Sequence, residues 1–578
     1  MSLTRLILAA AALAMTAAAP APKADPTVRY TLTPELDAQG LKDMAVEMRF
    51  TGDASGHTRL ALPSSWGGQD ELWRHLKDIT VDGATVAEDG PAVRVLTHRP
   101  GARLTVRYRV VGAYDHDPAV GDPGGNPYRP ILRPAWFSII GNAVFAEPEG
   151  ADARPADFHW GPMPKGWKTA SDLDHVAQGR KTLVSDILQS TAVGAPGLKV
   201  IHRKAAGAEV SVAVLGSWSA DTEAFADMLA RIVGAEHAYW GDKGEGYVVT
   251  MTPMTPRKGS ISTGGTSLDD GFAIFAGSDS PLDSMRYLIA HEYAHTWNPV
   301  RLGQMRTEAH EPVDYWFSEG FTDFLAYRAL LRSGVWSPQD FRDELNRTLE
   351  AYGGSSARTA PNSVIVTDFW KDYAVQKLAY QRGMMLAMIW DERLRRATGG
   401  RLDMDDVLLA QARMTLEART KGPVPTPPEM FRRAWASLGG PDLSADLDAK
   451  VERGEAVLLP ADLYGDCARI DTTEKPIFDR GFDGEATTRA NMVVTGVKPD
   501  SNAYAAGLRD GMKYLGREAG KPGDSAIDYV VKVDDHGTQR SIRYRPAGKT
   551  LATIQALTLK DGMSAAETAA CAKRMSGG

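Results

Sequence analysis

The fold of this chain is decided by one stretch, residues 287–295, which reads Tyr-Leu-Ile-Ala-His-Glu-Tyr-Ala-His. In a helix, residues four apart project from one face, so His291 and His295 can present ring nitrogens to the same metal ion. Glu292 then lies beside that ion, where it can take a proton from a bound water instead of acting as a ligand. We therefore predict a zinc-binding helix with Glu292 as its general base.

The residues before this motif carry signals that start a helix. Ser280 can act as an N-cap, Pro281 fits the first helical position, and Asp283 supplies an acid in a variant of the capping box. Pro299, just past the motif, suits an end of the helix soon after His295. The sequence thus predicts a helix that begins near Pro281 and contains the whole motif.

A third zinc ligand is expected from a second helix. A histidine six residues past His295 would be one solution, but that position is Arg301. Glu319, 24 positions beyond His295, is the predicted third ligand. Asp323 lies four residues later on the same helical face, where it can accept the outer N–H of a ligand histidine and fix its tautomer. One zinc ion per chain would then keep its fourth position for water or substrate.

The run from residue 291, His-Glu-Tyr-Ala-His-Thr-Trp-Asn, and the run from 316, Trp-Phe-Ser-Glu-Gly-Phe-Thr, resemble the glycyl aminopeptidase family. This is a gluzincin group of zinc metallopeptidases related to aminopeptidase N and thermolysin. The resemblance implies a multidomain α+β fold with an N-terminal β-sandwich, a thermolysin-like, mostly helical catalytic domain and a C-terminal PDZ-like domain. It also implies hydrolysis of peptide substrates by zinc-activated water, as an aminopeptidase that releases small N-terminal residues.

A tyrosine role follows from the same resemblance. The run from Tyr380 to Gly383 resembles the Tyr-x-Lys-Gly motif, whose tyrosine hydroxyl donates to the tetrahedral intermediate. The resemblance therefore implies Tyr380 as the catalytic group that stabilises the transition state, with Arg382 retaining the charge of the lysine. We expect Tyr380 to open an apolar helix that runs to about Ala397. Tyr373 is a second candidate, and packing within a helix is the alternative for both tyrosines.

The glycine-rich segment departs from the family pattern. Related aminopeptidases carry a Gly-Gly-x-Glu motif whose glutamate binds the free α-amine of the substrate, whereas here Thr266 and Ser267 follow the two glycines. Asp269 or Asp270 can replace that glutamate as the amine anchor, the alternative being two residues that only form a turn. The missing glutamate favours an endopeptidase with the same zinc chemistry as an alternative function, and a non-catalytic, PDZ-bearing binding protein is a second alternative.

Composition and charge exclude some functions. A chain of 578 residues is too long for one core, so about three domains are expected. The 43% of hydrophobic and 24% of charged residues are ordinary for a globular protein. A net charge of −7 without any run of Lys or Arg argues against nucleic acid as a partner.

The first 19 residues have the pattern of a signal peptide. Arg5 gives the positive end, residues 6–14 are apolar, and three alanines at 17–19 suit cleavage near Ala18. We expect an exported protein, periplasmic or secreted, with no membrane attachment after cleavage. An uncleaved anchor is the alternative, although the apolar stretch is short for a membrane span.

The patterns along the chain predict three domains. Strand-like alternation marks an N-terminal β domain over residues 25–217, helical patterns mark the peptidase domain over 218–445, and a PDZ-like domain is expected over 460–570. Residues 493–511 resemble the strand-turn-helix of a PDZ domain, but the altered residues 511–514 argue against a peptide ligand in its groove and leave a purely structural domain as the alternative. The two cysteines, Cys467 and Cys571, either form a disulfide that closes this domain or remain separate buried thiols.

Overall fold

The structure is a computed structural model that describes residues 25–122, 127–178, 181–244, 246–257, 262–268, 270–307 and 310–577. The predicted signal peptide at 1–19 and the candidate anchor Asp269 lie outside these residues. None of the helices within the described ranges is long and apolar enough to cross a bilayer. The described residues divide into two compact units, the first made of those up to Asp115, of Tyr128–Trp167 and of those within Leu173–Ser190, and the second of the other described residues.

The first unit is rich in β structure, as the sequence predicts. Its strands alternate buried and exposed residues: Val28, Tyr30 and Leu32 are fully buried, while Arg29 between them is exposed. The larger sheet has six strands in the order Thr182–Leu183, Pro155–Trp160, Val28–Asp37, Gly40–Thr51, Arg103–Val110, Leu76–Asp82. A second sheet has four strands in the order Glu147–Pro148, His57–Ala61, Val93–His98, Ala84–Glu88. The shorter elements are Ser65–Trp66, Gln69–Asp70, Ile131–Arg133, Trp136–Ile140, the helix Val184–Leu188 and the 3-10 turns Leu72–His75 and Gly141–Ala143.

The second unit is built on a mixed sheet of five strands, in the order Lys199–Ala205, Ala208–Val214, Tyr247–Met254, Gly271–Gly277, Thr263–Ser267. The three inner strands are parallel and the two outer strands are antiparallel to their neighbours. Residues 199–214 thus share a sheet with 247–254. The pair Lys168–Ser171 and Thr191–Ala195 belongs to the second unit as well.

Helices dominate the remainder of the second unit and bury one continuous hydrophobic core that reaches from Ile201 to Met575. Local signals account for the start of two of them: Asp221 caps Thr222–Trp240, and Ser337 with Asp340 forms the capping box of Pro338–Gly354. Three helices carry the candidate site and are named here the motif helix (Arg286–Ala294), the glutamate helix (Tyr315–Arg332) and the tyrosine helix (Tyr373–Thr398). The other helical segments are Leu282–Met285, Glu311–Asp314, Asn362–Asp368, Met404–Arg419, Pro427–Ser437, Ser444–Asp446 and Leu447–Glu452.

Two predicted helix starts are wrong. The motif helix begins at Arg286 after a 3-10 turn, and Ser280 does not cap it because its hydroxyl donates to the carbonyl of Ser262 at 3.2 Å. Tyr380 does not open its helix, which begins seven residues earlier, because the side chain of Asp372 caps the amides of residues 374 and 375. Tyr380 therefore lies two turns inside the helix.

The C-terminal part has a small core of its own. A three-stranded sheet, Lys513–Ala519, Tyr529–Asp535 and Thr538–Tyr544, packs with the short helix Asn502–Ala505 around Val494, Leu508 and Val531. Strands Ala468–Phe478 and Ala547–Leu559 pair beside it, together with the helix Gly484–Arg489. The last helix, Ala565–Ser576, is joined to the 3-10 turn Gly465–Cys467 by a disulfide between Cys467 and Cys571. Of the two alternatives for these cysteines, the structure has the disulfide.

Candidate active site

The motif helix presents its two histidines to one point. Ile289, Ala290 and Tyr293 bury the opposite side of this short helix in the core, which turns His291 and His295 together. His295 is the C-cap residue and keeps a helical backbone conformation, so the four-residue spacing still aligns the rings. The two Nε2 atoms lie 3.2 Å apart.

The glutamate helix completes a triangle of ligand atoms. Oε2 of Glu319 lies 3.4 Å from Nε2 of His291 and 3.7 Å from Nε2 of His295. Ligands about 2.0–2.1 Å from a tetrahedral zinc ion are separated by about 3.3 Å, so the three atoms have the spacing that such an ion requires. The donor set of two imidazoles and one carboxylate also suits zinc. The three residues fit the predicted metal.

Each histidine is oriented by a hydrogen bond from its outer ring nitrogen. Nδ1 of His291 donates to Asp323 at 2.8 Å, and Nδ1 of His295 donates to the carbonyl of Asn298 at 2.9 Å. With Nδ1 engaged on the outer side, each ring directs Nε2 to the metal position, where a bound metal ion would take the place of any proton on that atom. The predicted position of Asp323 beside a ligand histidine is the one that the structure has. Tyr287 also donates its hydroxyl to Asp323, a contact that the sequence does not predict.

Asn298 is a second residue that sequence reasoning missed. Its side-chain amide is completely buried and donates to the carbonyl of Ser318 at 3.0 Å and to the hydroxyl of Thr322 at 2.9 Å. The segment after the motif is thus fixed to the glutamate helix on either side of Glu319. The only sequence signal was its place in the run that resembles the peptidase family.

Burial and neighbouring charges have opposite effects on the pKa values of the ligand residues. Burial alone would lower the pKa of His291, but hydrogen bonds to Asp323 and Glu319 outweigh it and raise that pKa to about 10. Burial would raise the pKa of Glu319, but the two histidines hold it below its ordinary value. The carboxylate is therefore ionised and ready to act as a ligand.

Glu292 lies on the motif helix between the two histidines and is not part of the ligand triangle. Burial raises the pKa of its carboxyl, an effect that the neighbouring histidines reduce. A carboxyl with a raised pKa accepts a proton more readily than an ordinary glutamate. The edge strand Thr263–Ser267 lies beside this residue, since the hydroxyl of Ser267 donates to the main-chain carbonyl of Glu292 at 3.1 Å.

Tyr380 stands over the cluster. Its ring stacks on that of His291, with centroids 5.6 Å apart and an angle of 28° between the planes. Burial, followed by the negative charges of Glu319, Glu292 and Asp323, raises the pKa of Tyr380 well above 10. Its hydroxyl therefore stays protonated as a donor. Tyr373 begins the same helix and is 74% exposed, so the structure brings Tyr380 rather than Tyr373 to the site.

Two glycines allow this approach. The glutamate and tyrosine helices cross where Gly320 faces Gly383, and a Cβ on Gly383 would lie 1.7 Å from the carbonyl oxygen of Trp316. A Cβ on Gly320 would lie 2.4 Å from Cα of Gly383. Only glycine permits contact at this distance. Glu319 precedes Gly320 by one residue, and Tyr380 precedes Gly383 by three. The helix crossing therefore brings Glu319 and Tyr380 to the same site.

Arg382 does not take part as the sequence suggests. The family's lysine is replaced here by an arginine whose side chain is fully buried and donates to the carbonyl of Ala360 at 2.5 Å. Burial lowers its pKa to about 10. Its observed role is to hold the chain that precedes the helix Asn362–Asp368.

The motif helix is held from behind by a polar network. The hydroxyl of Tyr293, inside the motif, bonds to Nε2 of His237 at 2.8 Å, and Nδ1 of His237 bonds to Asp242 at 2.5 Å. Asp242 also accepts from the indole of Trp297 at 2.9 Å and from Arg301 at 2.8 Å. These contacts fix the residues on both sides of His295 against the helix Thr222–Trp240.

Of the two candidate amine anchors, only Asp270 is described. Its carbonyl accepts from the amide of Val248 at 3.1 Å, immediately before the strand Gly271–Gly277 begins. Burial is the main cause that raises the pKa of Tyr293 in the zinc motif, followed by the charges of Glu236 and Asp242 and, after these, by that of Asp270.

Comparison with known proteins supports the chemistry of this site. Residues 284–384, which contain the motif, Glu319 and Tyr380, match the family description of M61 glycyl aminopeptidase. No curated protein matches the chain.

Among solved structures, an aminopeptidase N family protein from Idiomarina loihiensis superposes with a TM-score of 0.67 at 17% identity, covering 94% of this chain and 99% of that one. An M1 zinc metallopeptidase from Deinococcus radiodurans gives a TM-score of 0.44 at 16% identity, over 75% and 94% of the two chains. A mutant of the latter, bound to a Tyr-Ser-Ala substrate, gives 0.45 at 16% identity, with the same coverage of 75% and 94%. The first superposition shows that the two chains share a fold. With the matched segment and the ligand triangle, it indicates a zinc metallopeptidase.

Proposed function

We propose that this protein is an exported zinc aminopeptidase that removes small residues from the N-termini of peptides. The observation that carries the proposal is the triangle of His291, His295 and Glu319, with edges of 3.2, 3.4 and 3.7 Å, next to Glu292 and Tyr380. The family match over this segment supports release of N-terminal residues. The pattern of residues 1–19 supports export to the periplasm or the medium.

The three ligands would hold one zinc ion per chain. Bound there, zinc supplies a Lewis acid that polarises the scissile carbonyl and brings the pKa of water toward about 7. Glu292 accepts the proton of the attacking water and delivers it to the leaving amine. Tyr380 donates its hydroxyl to the oxygen on which negative charge develops, a contribution of about 3 kcal/mol for donors of this kind. Asp323 keeps His291 in the tautomer that the metal needs.

Binding of the free α-amine is assigned here to Asp270, with Asp269 as the alternative. Both follow Ser267, which ends the edge strand beside Glu292. An edge strand pairs with extended peptide backbone, so it would guide the substrate past the cluster. A carboxylate at the end of this strand would meet the positive charge of the substrate's amine.

A zinc endopeptidase is the second candidate function. The glutamate that follows Gly-Gly in related aminopeptidases is absent, and Thr266 and Ser267 stand there instead. Without a carboxylate anchor, the site would accept peptides whose amine is blocked.

One experiment separates the two functions. A Gly- or Ala-peptide with a free amine and its N-acetylated form would be given to purified, zinc-assayed protein. We expect cleavage of the free-amine peptide only, and Asp270→Asn should then raise KM for that peptide. Equal cleavage of the acetylated peptide would refute the aminopeptidase and support the endopeptidase.

For the C-terminal region we propose a PDZ-like domain with a structural role. Ser501 caps the short helix Asn502–Ala505, and Leu508 packs in the small core, as the strand-turn-helix pattern suggests. Replacing Cys467 and Cys571 by serine should lower stability without changing the zinc content of the folded protein. The alternative, a non-catalytic binding protein, predicts no zinc and no hydrolysis.

A further inference from the structure

A cation lies beside the candidate catalytic tyrosine. Nζ of Lys377 lies 4.9 Å from the centre of the Tyr380 ring and 5.5 Å from that of Tyr373. Lys377 is three residues before Tyr380 on the tyrosine helix, so the two side chains project from neighbouring positions on one face. It is half-buried, and within the described part of the chain no carboxylate lies within ion-pair distance of it.

Lys371 differs from Lys377 in having an ion-pair partner. Lys371, six residues earlier, forms an ion pair with Asp368 at 3.2 Å and is largely exposed. Asp372, the acid closest to Lys377 in sequence, is engaged in capping the tyrosine helix. The ammonium of Lys377 is held by two aromatic faces, an arrangement that leaves its positive charge available to an anion.

The distance from Lys377 to the ligand cluster suits a bound peptide. The ring centroids of Tyr380 and His291 are 5.6 Å apart and Nζ of Lys377 is 4.9 Å from the first, so Nζ lies at most about 10.5 Å from the centre of the His291 ring. An extended peptide advances about 3.3–3.6 Å per residue. A carboxylate two residues beyond a bond at the cluster would therefore reach the ammonium.

Aromatic side chains also connect Tyr380 to the protein surface. Trp370 is 67% exposed and Tyr373 is 74% exposed. Phe369 connects them to the site, since its ring lies 4.9 Å from that of Trp370 and 6.5 Å from that of Tyr380. Large exposed aromatic rings beside a site are typical of a surface that contacts a ligand.

We propose that Lys377 binds a carboxylate of the peptide substrate on the leaving-group side of the scissile bond. The carboxylate is either the C-terminal α-carboxylate of a short peptide or the side chain of an acidic residue. This assignment rests on the proposed peptidase function and adds a preference to it: short or acidic peptides are favoured over neutral, amidated ones. Tyr373 and Tyr380 hold the ammonium in place through cation–π contact.

The test measures binding, so that it does not depend on turnover. Zinc-loaded protein carrying Glu292→Gln would be titrated by calorimetry with Gly-Ala-Ala, with its C-terminal amide, and with amidated Gly-Ala-Glu. At least one of the two carboxylate-bearing peptides should bind about fivefold more tightly than the neutral amide, the factor that corresponds to an ion pair of about 1 kcal/mol. The peptide that shows the gain identifies the α-carboxylate or the acidic side chain as the group bound.

Substitutions then test whether Lys377 causes the tighter binding of the carboxylate-bearing peptides. Lys377→Met should bring the affinity ratio to one, and Lys377→Glu should reverse it in favour of the neutral amide. Lys371→Met, which removes an equal charge from the same segment, should leave the ratio at about five. A ratio of one in the parent protein, no binding of any of the peptides, or a ratio that survives Lys377→Met would overturn the proposal. Hydrolysis of the neutral amide by the unsubstituted enzyme reports on the peptidase function separately.

Discussion

The close contact between Gly320 and Gly383 leads us to predict that a larger residue at position 383 lowers both stability and catalytic rate. In Gly383→Ala the new Cβ would lie 1.7 Å from the carbonyl oxygen of Trp316, whereas such contacts essentially never fall below 3.0 Å. The tyrosine helix must therefore move away from the glutamate helix by at least about 1.3 Å. Because Tyr380 is three residues before Gly383, the hydroxyl moves with it. A misplacement of about 1 Å can cost about 100-fold in rate, and overpacking costs about 1–3 kcal/mol of stability.

Two other glycines provide controls. In Gly320→Ala the new Cβ would lie 2.4 Å from Cα of Gly383, a smaller overlap that should give a smaller effect. In Gly234→Ala, inside the helix Thr222–Trp240, no atom beyond the neighbouring residues and the adjoining helix backbone lies within 4 Å of the new Cβ, so stability should rise by about 0.5–1 kcal/mol. The assay compares kcat on a free-amine peptide, zinc content and the thermal midpoint. The reasoning is refuted if Gly383→Ala matches the unsubstituted protein in kcat and thermal midpoint.

Four further outcomes are expected. Asp323→Asn removes the charged acceptor of His291 and should weaken zinc binding by about 10–100-fold in a chelator competition; an unchanged zinc Kd would contradict this. Tyr380→Phe should lower kcat by about 100-fold with zinc content and KM little changed, and an unaltered kcat would remove the tyrosine from the mechanism. Burial raises the pKa of Glu236 from 4.5 to about 8, so the folded protein holds a proton that the unfolded chain releases, and stability falls as pH rises between these values. Glu236→Gln should therefore raise the thermal midpoint more at pH 9 than at pH 4.5, and equal gains at both would be evidence against the shifted pKa. Replacing Cys467 and Cys571 by serine opens a loop of 104 residues and should cost about 2–5 kcal/mol in urea unfolding, whereas an unchanged midpoint would mean that the disulfide is not formed in solution.

Features set by neighbouring residues could be predicted from the sequence. The four-residue spacing of His291 and His295, and the spacing of Glu319 from Asp323, encode shared helical faces, and the structure brings these four side chains together. The N-cap Asp221 and the capping box of Ser337 act within their own turns, so the residue types near each start are enough to explain where these two helices begin. Local chemistry was sufficient there.

Features set by distant residues could not be predicted. Ser280 has the sequence of an N-cap, but its hydroxyl bonds to Ser262, 18 residues away. Strands at residues 199–214 have the same alternation as the N-terminal strands, and only their pairing with 247–254 assigns them to the second unit. The bond from His237 to Tyr293 spans 56 residues and has no periodic signature.

In the site, too, some features are set by neighbouring residues and others by residues that are distant in sequence. Its ligands belong to a recognisable motif, while the groups that position them, Asn298, Tyr287 and the facing glycines, act across helices. Asp269 and Asp270 remain predictions as amine anchors, as do the domain boundaries and export.

The most direct measurement of the central claim is peptide hydrolysis by Glu292→Gln at equal zinc content. Glutamine keeps the size of the side chain but cannot accept the proton, so the variant should bind one zinc ion per chain and lose activity by about 10²–10⁴-fold. Retained hydrolysis with bound zinc would contradict the assignment of Glu292 as the base. Absence of zinc from the unsubstituted protein would contradict the metal centre formed by His291, His295 and Glu319.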